Sequence, residues 1–316
     1  MKRYRLLVFL LGVAVLAGLT VYAGAGAVLR AFVALGAGGL AIAVAMHGAV
    51  IAALGLAWWA VGRGAPRKYM AARLVRDSVA EVLPFSQIGG FVVGARALHL
   101  MGFSLLSASL SMFADLVAEF AGKLPYALIG IVALVYLLPG SRLILPMSLS
   151  LAAGMGGVTL AVVYRARIMA VIEKGAAGMA RKWTRLEAGE AWRQEFERVF
   201  ARGRFLPSFA IHFLCWAFGT AETWVIFALM SVHVTVLEAL AIDSMVSAIR
   251  TAAFLVPAAA GVQETGYVLI CALTGISAAE ALALSFARRA RDIAIGLIGL
   301  AFWQFLEARR VEKQSA

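Results

Sequence analysis

The chain has 316 residues, 63% of them hydrophobic and only 15% charged, and its formal net charge is +12. Soluble domains are nearer half apolar, and a water-soluble protein of this composition would expose apolar patches that drive aggregation, so that class is excluded. The basic excess fits Lys and Arg holding loops against anionic headgroups; no DNA- or RNA-binding motif accompanies it, and nucleic acid is not an expected partner.

A helix needs about 20 apolar residues to cross the hydrocarbon core. Lys2, Arg3 and Arg5 precede the first such run, Leu6–Tyr22. It resembles a signal peptide, but no small-x-small cleavage site leads into a soluble domain. It is expected to remain as the first membrane helix. Leu35–Val61 is the second and ends on the interfacial pair Trp58 and Trp59. A basic loop follows from Gly62 to Arg76, carrying Arg63, Arg67, Lys68, Arg73 and Arg76. Residues 83–97 are apolar but interrupted by Pro84, Gly89, Gly90 and Gly94, with Arg96 and His99 beyond, and are expected as broken or re-entrant helix. Leu105–Phe120, with Asp115 and Glu119, comes next. Pro125–Leu138 is short and is closed by Pro139-Gly140, and Leu143–Tyr164 is a full span.

Residues 165–204 form the long polar segment, with ten Lys/Arg against five Glu. Trp183, Leu186, Trp192 and Phe196 are spaced for an amphipathic cytoplasmic surface helix. Phe205–Met230 and Leu237–Val256 are further spans. Residues 257–273 are the second interrupted segment, with Pro257, Gly261, Gln263, Glu264, Thr265 and Gly266. Ile276–Leu306 closes the chain, its apolar run broken by Arg288, Arg289, Arg291 and Asp292. The expected fold is all-α: a single membrane domain over residues 1–316, a polytopic bundle of about seven to eight membrane helices with two interrupted segments. The Lys/Arg bias places the N-terminus, the 62–76 and 165–204 loops and the C-terminal tail in the cytoplasm of a bacterial-type inner membrane. The connections near Arg30, Arg142 and His233 fall outside.

No P-loop, GxSxG or HExxH pattern is present, so no catalytic residue, enzymatic activity or cofactor is expected. His47, His99, His212 and His233 lie on different segments, which argues against a metal set. Cys215 and Cys271 sit in apolar runs without CxxC spacing and read as packing residues. The informative residues are charges at bilayer depth, which are costly and mark pairs or pathways: Arg96, Asp115, Glu119, Glu222, Asp243, Arg250 and Glu264. Asp243, Ser247 and Arg250 share one helix face. Asp243 and Arg250 are two turns apart, so each must meet a group on another segment. Proline and glycine in 257–265 free backbone N–H and C=O groups, which is tolerated at depth only against protein or a wet cavity. Paired interruptions in the two halves of a chain point to a substrate site. Glu264 is expected to pair with Arg250 or Arg96, with a purely structural staple as the alternative. Asp115 and Glu119, one turn apart, read as facing water at a membrane edge near Lys123.

The run Val256-Pro257-Ala258-Ala259-Ala260-Gly261-Val262-Gln263-Glu264-Thr265-Gly266-Tyr267 resembles the proline, glycine, glutamate signature of the flippase-like transmembrane domain of lysylphosphatidylglycerol synthases. The resemblance is closer still to the hopanoid-biosynthesis-associated membrane protein branch. Leu83-Pro84-Phe85-Ser86-Gln87-Ile88-Gly89-Gly90, followed by Gly94-Ala95-Arg96, resembles that branch as well. The resemblance implies re-entrant segments around a lipid-accessible cavity, and movement of a lipid or lipid-linked molecule between leaflets. By motif, Arg96, Pro257, Gly261 and Glu264 carry over. Ala258-Ala259-Ala260 departs from the commoner pattern, where a glycine is frequent. No soluble synthase domain is seen, so aminoacyl transfer is not expected.

The expected cavity set is Arg96, Asp243, Arg250, Pro257, Gly261, Gln263 and Glu264. Arg96 and Arg250 meet a polar or anionic head, and Glu264 and Asp243 balance them. The partners expected are membrane lipids, including hopanoids or anionic lipid-linked molecules. The rival reading is a non-transporting accessory that holds a lipid-biosynthesis protein on the basic 165–204 face.

Overall fold

A computed structural model describes residues 25–83, 86–139, 190–253 and 256–315, with isolated positions elsewhere. The described residues are helical throughout, with no strand. We label the helices α1 (Ala25–Val61), α2 (Pro66–Val82), α3 (Ser86–Leu100), α4 (Leu105–Leu137), α5 (Glu190–Val199), α6 (Arg202–Leu229), α7 (Val236–Ala252), α8 (Val262–Leu273) and α9 (Ala278–Ser315). The expected spans Leu6–Tyr22 and Leu143–Tyr164, and most of 165–204, lie outside the described residues.

Several boundaries differ from the sequence reading. Arg30 lies inside α1, which bends at Gly36, where φ is 66°. The stretch expected as a basic loop is irregular only over 62–65. Pro66 then opens α2, its fixed φ suiting the first helical position. Arg73 and Arg76 are buried there, because Tyr69, Ala72, Arg73, Arg76, Val79 and Ala80 repeat at helical spacing and form the inward face. Leu105–Phe120 and Pro125–Leu138 are one helix, capped by the Ser104 hydroxyl accepting from Ser107 N–H, with Pro125 in its interior. Within 83–97, helix α3 runs unbroken from Ser86 through Gly89, Gly90 and Gly94, so these glycines do not interrupt it. α9 is likewise continuous through Arg288 to Asp292. A charge lowers hydropathy without breaking a helix.

Three described helices are long and apolar enough to cross a membrane: α1 from Val28, α4 and α6. Large apolar side chains such as Ile42, Val132 and Leu214 are exposed on their outer faces, as lipid-facing residues would be. Four others are short. α2 and α7 have 17 residues, α3 has 15 and α8 has 12. At 1.5 Å per residue none exceeds about 26 Å, less than the roughly 30 Å hydrocarbon core.

These four form two hairpins, α2 on α3 and α7 on α8. Glycine sets the first crossing. A Cβ at Gly90 would lie 2.6 Å from the Arg76 carbonyl oxygen, and one at Gly94 would lie 2.9 Å from Arg76 Cβ. Thr235 caps α7 in a reciprocal capping box with Glu238. A single 3₁₀ turn, Pro257–Ala259, links α7 to α8 and packs against both α2 and α3. The two interrupted segments therefore meet tip to tip. α9 lies along α1 and α2 and closes the bundle. One apolar cluster is built around Trp58, Tyr69 and Leu98, and a second around Phe227, Ile242, Tyr267 and Leu284.

Candidate functional site

Between the hairpin tips and helices α1, α4, α6 and α9 lies a cavity of about 190 Å³. Its walls mix aromatic groups, including Phe91, Trp216 and Tyr267, with a dense set of charges. Those charges fall into three groups, and the balance within each differs.

The first group joins α2 to α4 and α6. Arg76 donates to Asp115 Oδ2 at 3.0 Å and to Glu119 Oε2 at 2.7 Å, and Arg73 donates to the same two oxygens at 3.3 and 3.2 Å. Arg73 also reaches Asp77 at 2.8 Å, and His212 Nε2 lies 2.9 Å from Asp115 Oδ1. Asp115 is fully buried. This overturns the expectation that Asp115 and Glu119 face water at a membrane edge. The reason is that the supposed loop is helix α2, which lays two guanidiniums against them. Asp115, Glu119 and His212 bring donor atoms within 4.8 Å of one another. Two arginines already occupy the carboxylate oxygens, so the set reads as an ion-pair network.

The second group is paired one to one. Arg288 donates to Asp243 Oδ1 at 2.5 Å and to the Gly219 carbonyl at 3.2 Å, and it also meets Thr223 Oγ1. Tyr126 donates to Asp243 Oδ2 at 2.7 Å. Gly219 is required here, because a Cβ would approach that same oxygen to 2.5 Å. Arg250 donates to both oxygens of Glu81, at 2.7 and 2.9 Å, and Gln87 reaches Glu81 at 3.4 Å. These bonds tie α7 to the tip of the first hairpin. Glu264, fully buried, accepts from Arg289 at 2.6 Å, from Ser285 at 3.2 Å and from the Gly261 N–H at 2.8 Å. It therefore caps α8 and fastens the Pro257–Gly261 turn to α9. Gln263 donates to Ser285 at 3.0 Å. Gly261 has φ 77°, and Ala258 and Ala259 also sit in the left-handed region, at 50° and 47°. That conformation is costly for a residue with a Cβ, which accounts for glycine being the commoner choice in the resembling motif.

The third group spans α1, α6 and α9. Arg291 pairs with Glu222 Oε1 and donates to Asp292 Oδ1 at 2.8 Å. His47 donates from Nδ1 to Glu222 Oε2 at 3.3 Å, and its Nε2 lies 3.9 Å from Asp292 Oδ1.

Lys123 stands apart. Its Nζ donates to Thr251 Oγ1 at 2.8 Å and lies 3.8 Å from the Trp216 ring centroid. No described carboxylate comes within 4.0 Å of it, and it lines the cavity beside Arg250 and Thr251.

The expected site residues divide accordingly. Asp243 and Arg250 line the cavity. Gly261, Gln263 and Glu264 lie behind it and are not among its lining residues, on the turn that Pro257 opens. Arg96 does not line the cavity. It forms a pair with Glu307 at 2.5 and 2.8 Å, and its side chain is 43% exposed. Glu264 pairs with neither Arg250 nor Arg96, because α9 packs along α8 and brings Arg289 to it.

Glu81, Lys123, Arg288, Arg289, Arg291 and Asp292 were missed as site residues. The signal was present in α2, where Arg73, Arg76, Asp77 and Glu81 follow helical spacing. It was present again in α9, where Arg288, Arg291 and Asp292 fall at i, i+3 and i+4.

A comparison with protein families matches residues 9–299 to the lysylphosphatidylglycerol synthase TM region. No curated protein and no solved structure matches the chain.

Proposed function

We propose that the chain, which belongs to the lysylphosphatidylglycerol synthase TM-region family, moves a lipid between leaflets by passing its headgroup through the cavity between the two hairpin tips. The observation that carries this reading is the meeting of two interrupted helical hairpins around a charged, partly aromatic chamber, with Lys123 and Arg250 on its wall. Short helices whose broken ends meet at depth are the arrangement that builds substrate sites in transporters. About 190 Å³ is below the roughly 300–1,000 Å³ of a small-molecule pocket. It takes a headgroup, while acyl or polycyclic parts stay in lipid.

Lys123 supplies the attraction. Every lining guanidinium already holds a carboxylate, so an anionic head gains most from the ammonium that has none. Arg250 is the second contact, since its pair with Glu81 is 22% exposed on both sides and can open toward the cavity. Asp243 balances Arg288 and keeps the back wall neutral. No covalent change to the lipid and no cofactor belong to this reading. We place the protein in a bacterial inner membrane with a cytoplasmic N-terminus and link it to hopanoid or other lipid biosynthesis, through the motif resemblance and the Lys/Arg bias.

The test is transfer of a fluorescently tagged phosphatidylglycerol across phosphatidylcholine vesicles containing the purified protein. The expected result is transfer above that of protein-free vesicles, reduced at least about tenfold in Lys123→Ala and in Arg250→Gln, as for loss of one charge-assisted contact. Unchanged transfer in both variants would overturn the assignment. Wild-type transfer equal to empty vesicles would favour the accessory role for lipid-biosynthesis proteins.

A further inference from the structure

The three charge groups do not balance alike. Among the described residues the second group sets Arg250, Arg288 and Arg289 against Glu81, Asp243 and Glu264, three against three. The first sets Arg73 and Arg76 against Asp77, Asp115 and Glu119. Lys123 makes no ion pair, but it stands one helical turn along α4 from Glu119 on the same cavity wall, so a permanent cation already lies beside this group. The third group sets Arg291 alone against Glu222 and Asp292, so it is one positive charge short.

The one side chain within that group able to supply it is His47, which is bonded to Glu222, lies 3.9 Å from Asp292, is 26% exposed and lines the cavity. Imidazole is the group that gains and loses a proton near neutral pH. The charged groups that share the cavity wall with His47 are Glu222 from α6, Arg288, Arg291 and Asp292 from α9, Asp243 and Arg250 from α7, Arg73, Asp77 and Glu81 from α2, and Glu119 and Lys123 from α4.

We propose that His47 is a proton-binding site that couples lipid movement to a proton gradient, one proton travelling with each anionic headgroup. This rests on the translocation reading above. With the cavity empty, the third group carries one unit of negative charge when His47 is neutral. An arriving anionic head adds a second unit within the same low-dielectric space. A proton taken from cavity water onto Nε2 of His47, beside Asp292, offsets the charge the head brings. When the head leaves on the far side, the proton leaves to the water there. Binding of the two is reciprocal: whatever the head adds to proton affinity, the proton adds to head affinity. The loaded cavity gains no net charge, so transport of a monoanionic lipid with one proton is electroneutral.

The experiment uses the full chain in phosphatidylcholine vesicles with tagged phosphatidylglycerol and a pH difference of one unit across the bilayer. The membrane potential is clamped at zero and protein-free vesicles serve as the control. One proton per lipid and a tenfold difference in proton activity set about a tenfold enrichment of the tagged lipid in the leaflet facing the alkaline side. His47→Gln and His47→Arg fix the charge at zero and at plus one, and each is expected to give an even distribution. The distribution rather than the rate is read, so a slower variant still reports. Transfer by the wild type with an even distribution overturns the proton coupling and leaves translocation standing. Enrichment that persists in either variant overturns His47 as the site. Loss of transfer in both variants at an unchanged melting temperature also overturns it, because His47 would then serve structure or headgroup binding. No transfer by the wild type overturns both readings.

Discussion

Replacing Asp243 by Asn isolates the energetics of the buried pairs. Asp243 is 4% exposed and the Arg288 side chain 10%, so water screens the pair poorly. The substitution keeps size and leaves Thr223 and Tyr126 as polar neighbours, but Arg288 then has no carboxylate within 4.0 Å among the described residues. Leaving one member of a buried pair uncompensated costs about 3–5 kcal/mol. For a chain of this size, each kcal/mol moves the melting temperature by about 2–4 °C. The expected drop is therefore roughly 6–20 °C, read by tryptophan fluorescence of the detergent-solubilised protein. Adding Arg288→Gln removes the orphaned charge and should restore at least half of the loss. Asp115→Asn is the internal comparison. It leaves Arg73 and Arg76 facing Asp77 and Glu119, two against two, so it loses hydrogen bonds without stranding a charge and should cost less, about 1.5–3 kcal/mol. A drop below about 2 °C for Asp243→Asn, a double variant no more stable than the single, or Asp115→Asn as the worse of the two would refute the pairing argument.

Other expectations follow from contacts already described. Arg96→Ala should lower the melting temperature by no more than about 2 °C and leave tagged-lipid transfer unchanged, since a half-exposed pair with Glu307 contributes about 0–1 kcal/mol; a large transfer defect would return Arg96 to the site. Gly55→Ala places a Cβ 2.9 Å from the Met70 backbone nitrogen, which cannot swing aside, so overpacking of α1 on α2 should cost about 1–3 kcal/mol in the same melting assay. Glu264→Ala removes the acceptor of the Gly261 N–H and should speed amide exchange over 258–265. Glu264→Gln, whose amide oxygen can still accept that N–H, should exchange more slowly than the alanine variant, and equal rates would show that Glu264 does not cap α8.

How much of this was legible in the sequence depended on the kind of signal. Long apolar runs locate α1 and α6 and both parts of α4, because hydropathy reports the cost of placing a residue in lipid and these helices face lipid; that the two parts of α4 join through Pro125 is not legible from hydropathy. Proline and glycine located both interruptions, because they change the backbone itself. The boundaries failed wherever charge was taken for a break. Charge alone places Arg73 and Arg76 in a loop, although Tyr69, Ala72, Arg73 and Arg76 keep the helical period, and it makes Arg288 to Asp292 look like a break in a helix that is continuous. The pairings failed for a different reason. That Asp243 and Arg250 each needed a partner on another helix followed from their spacing. The choice of Arg288 and Glu81 required knowing which helices are neighbours, and a one-dimensional pattern does not carry that. Arg96 was included because it follows a motif, and the motif said nothing about which face of α3 it occupies.

The distribution of charge among the helices also bears on how such a bundle can hold ionised groups in a bilayer. The three helices apolar enough to span have no more than a third of each one's most apolar stretch inside the bundle. The arginines of the charge network sit on α2, α7 and α9, where Arg76 and Arg291 are each 2% exposed, and meet carboxylates that include Asp115 on α4 and Glu222 on α6. The bundle thus turns the charged faces of its helices inward and leaves apolar faces at the rim. Arginine suits the central positions because it stays charged under all conditions and can hold two carboxylates at once, as Arg73 and Arg76 do with Asp115 and Glu119. A centre built from permanent charges in closed pairs is rigid, and it can exchange charge only where a pair is left incomplete. Lys123 lacks a carboxylate within ion-pair distance, and the Glu222–Arg291–Asp292 group is one cation short. Those two places mark where an incoming anion and a proton have something to gain, and Lys123→Ala and His47→Gln should therefore separate the two effects: the first weakening headgroup binding, the second removing the response to pH.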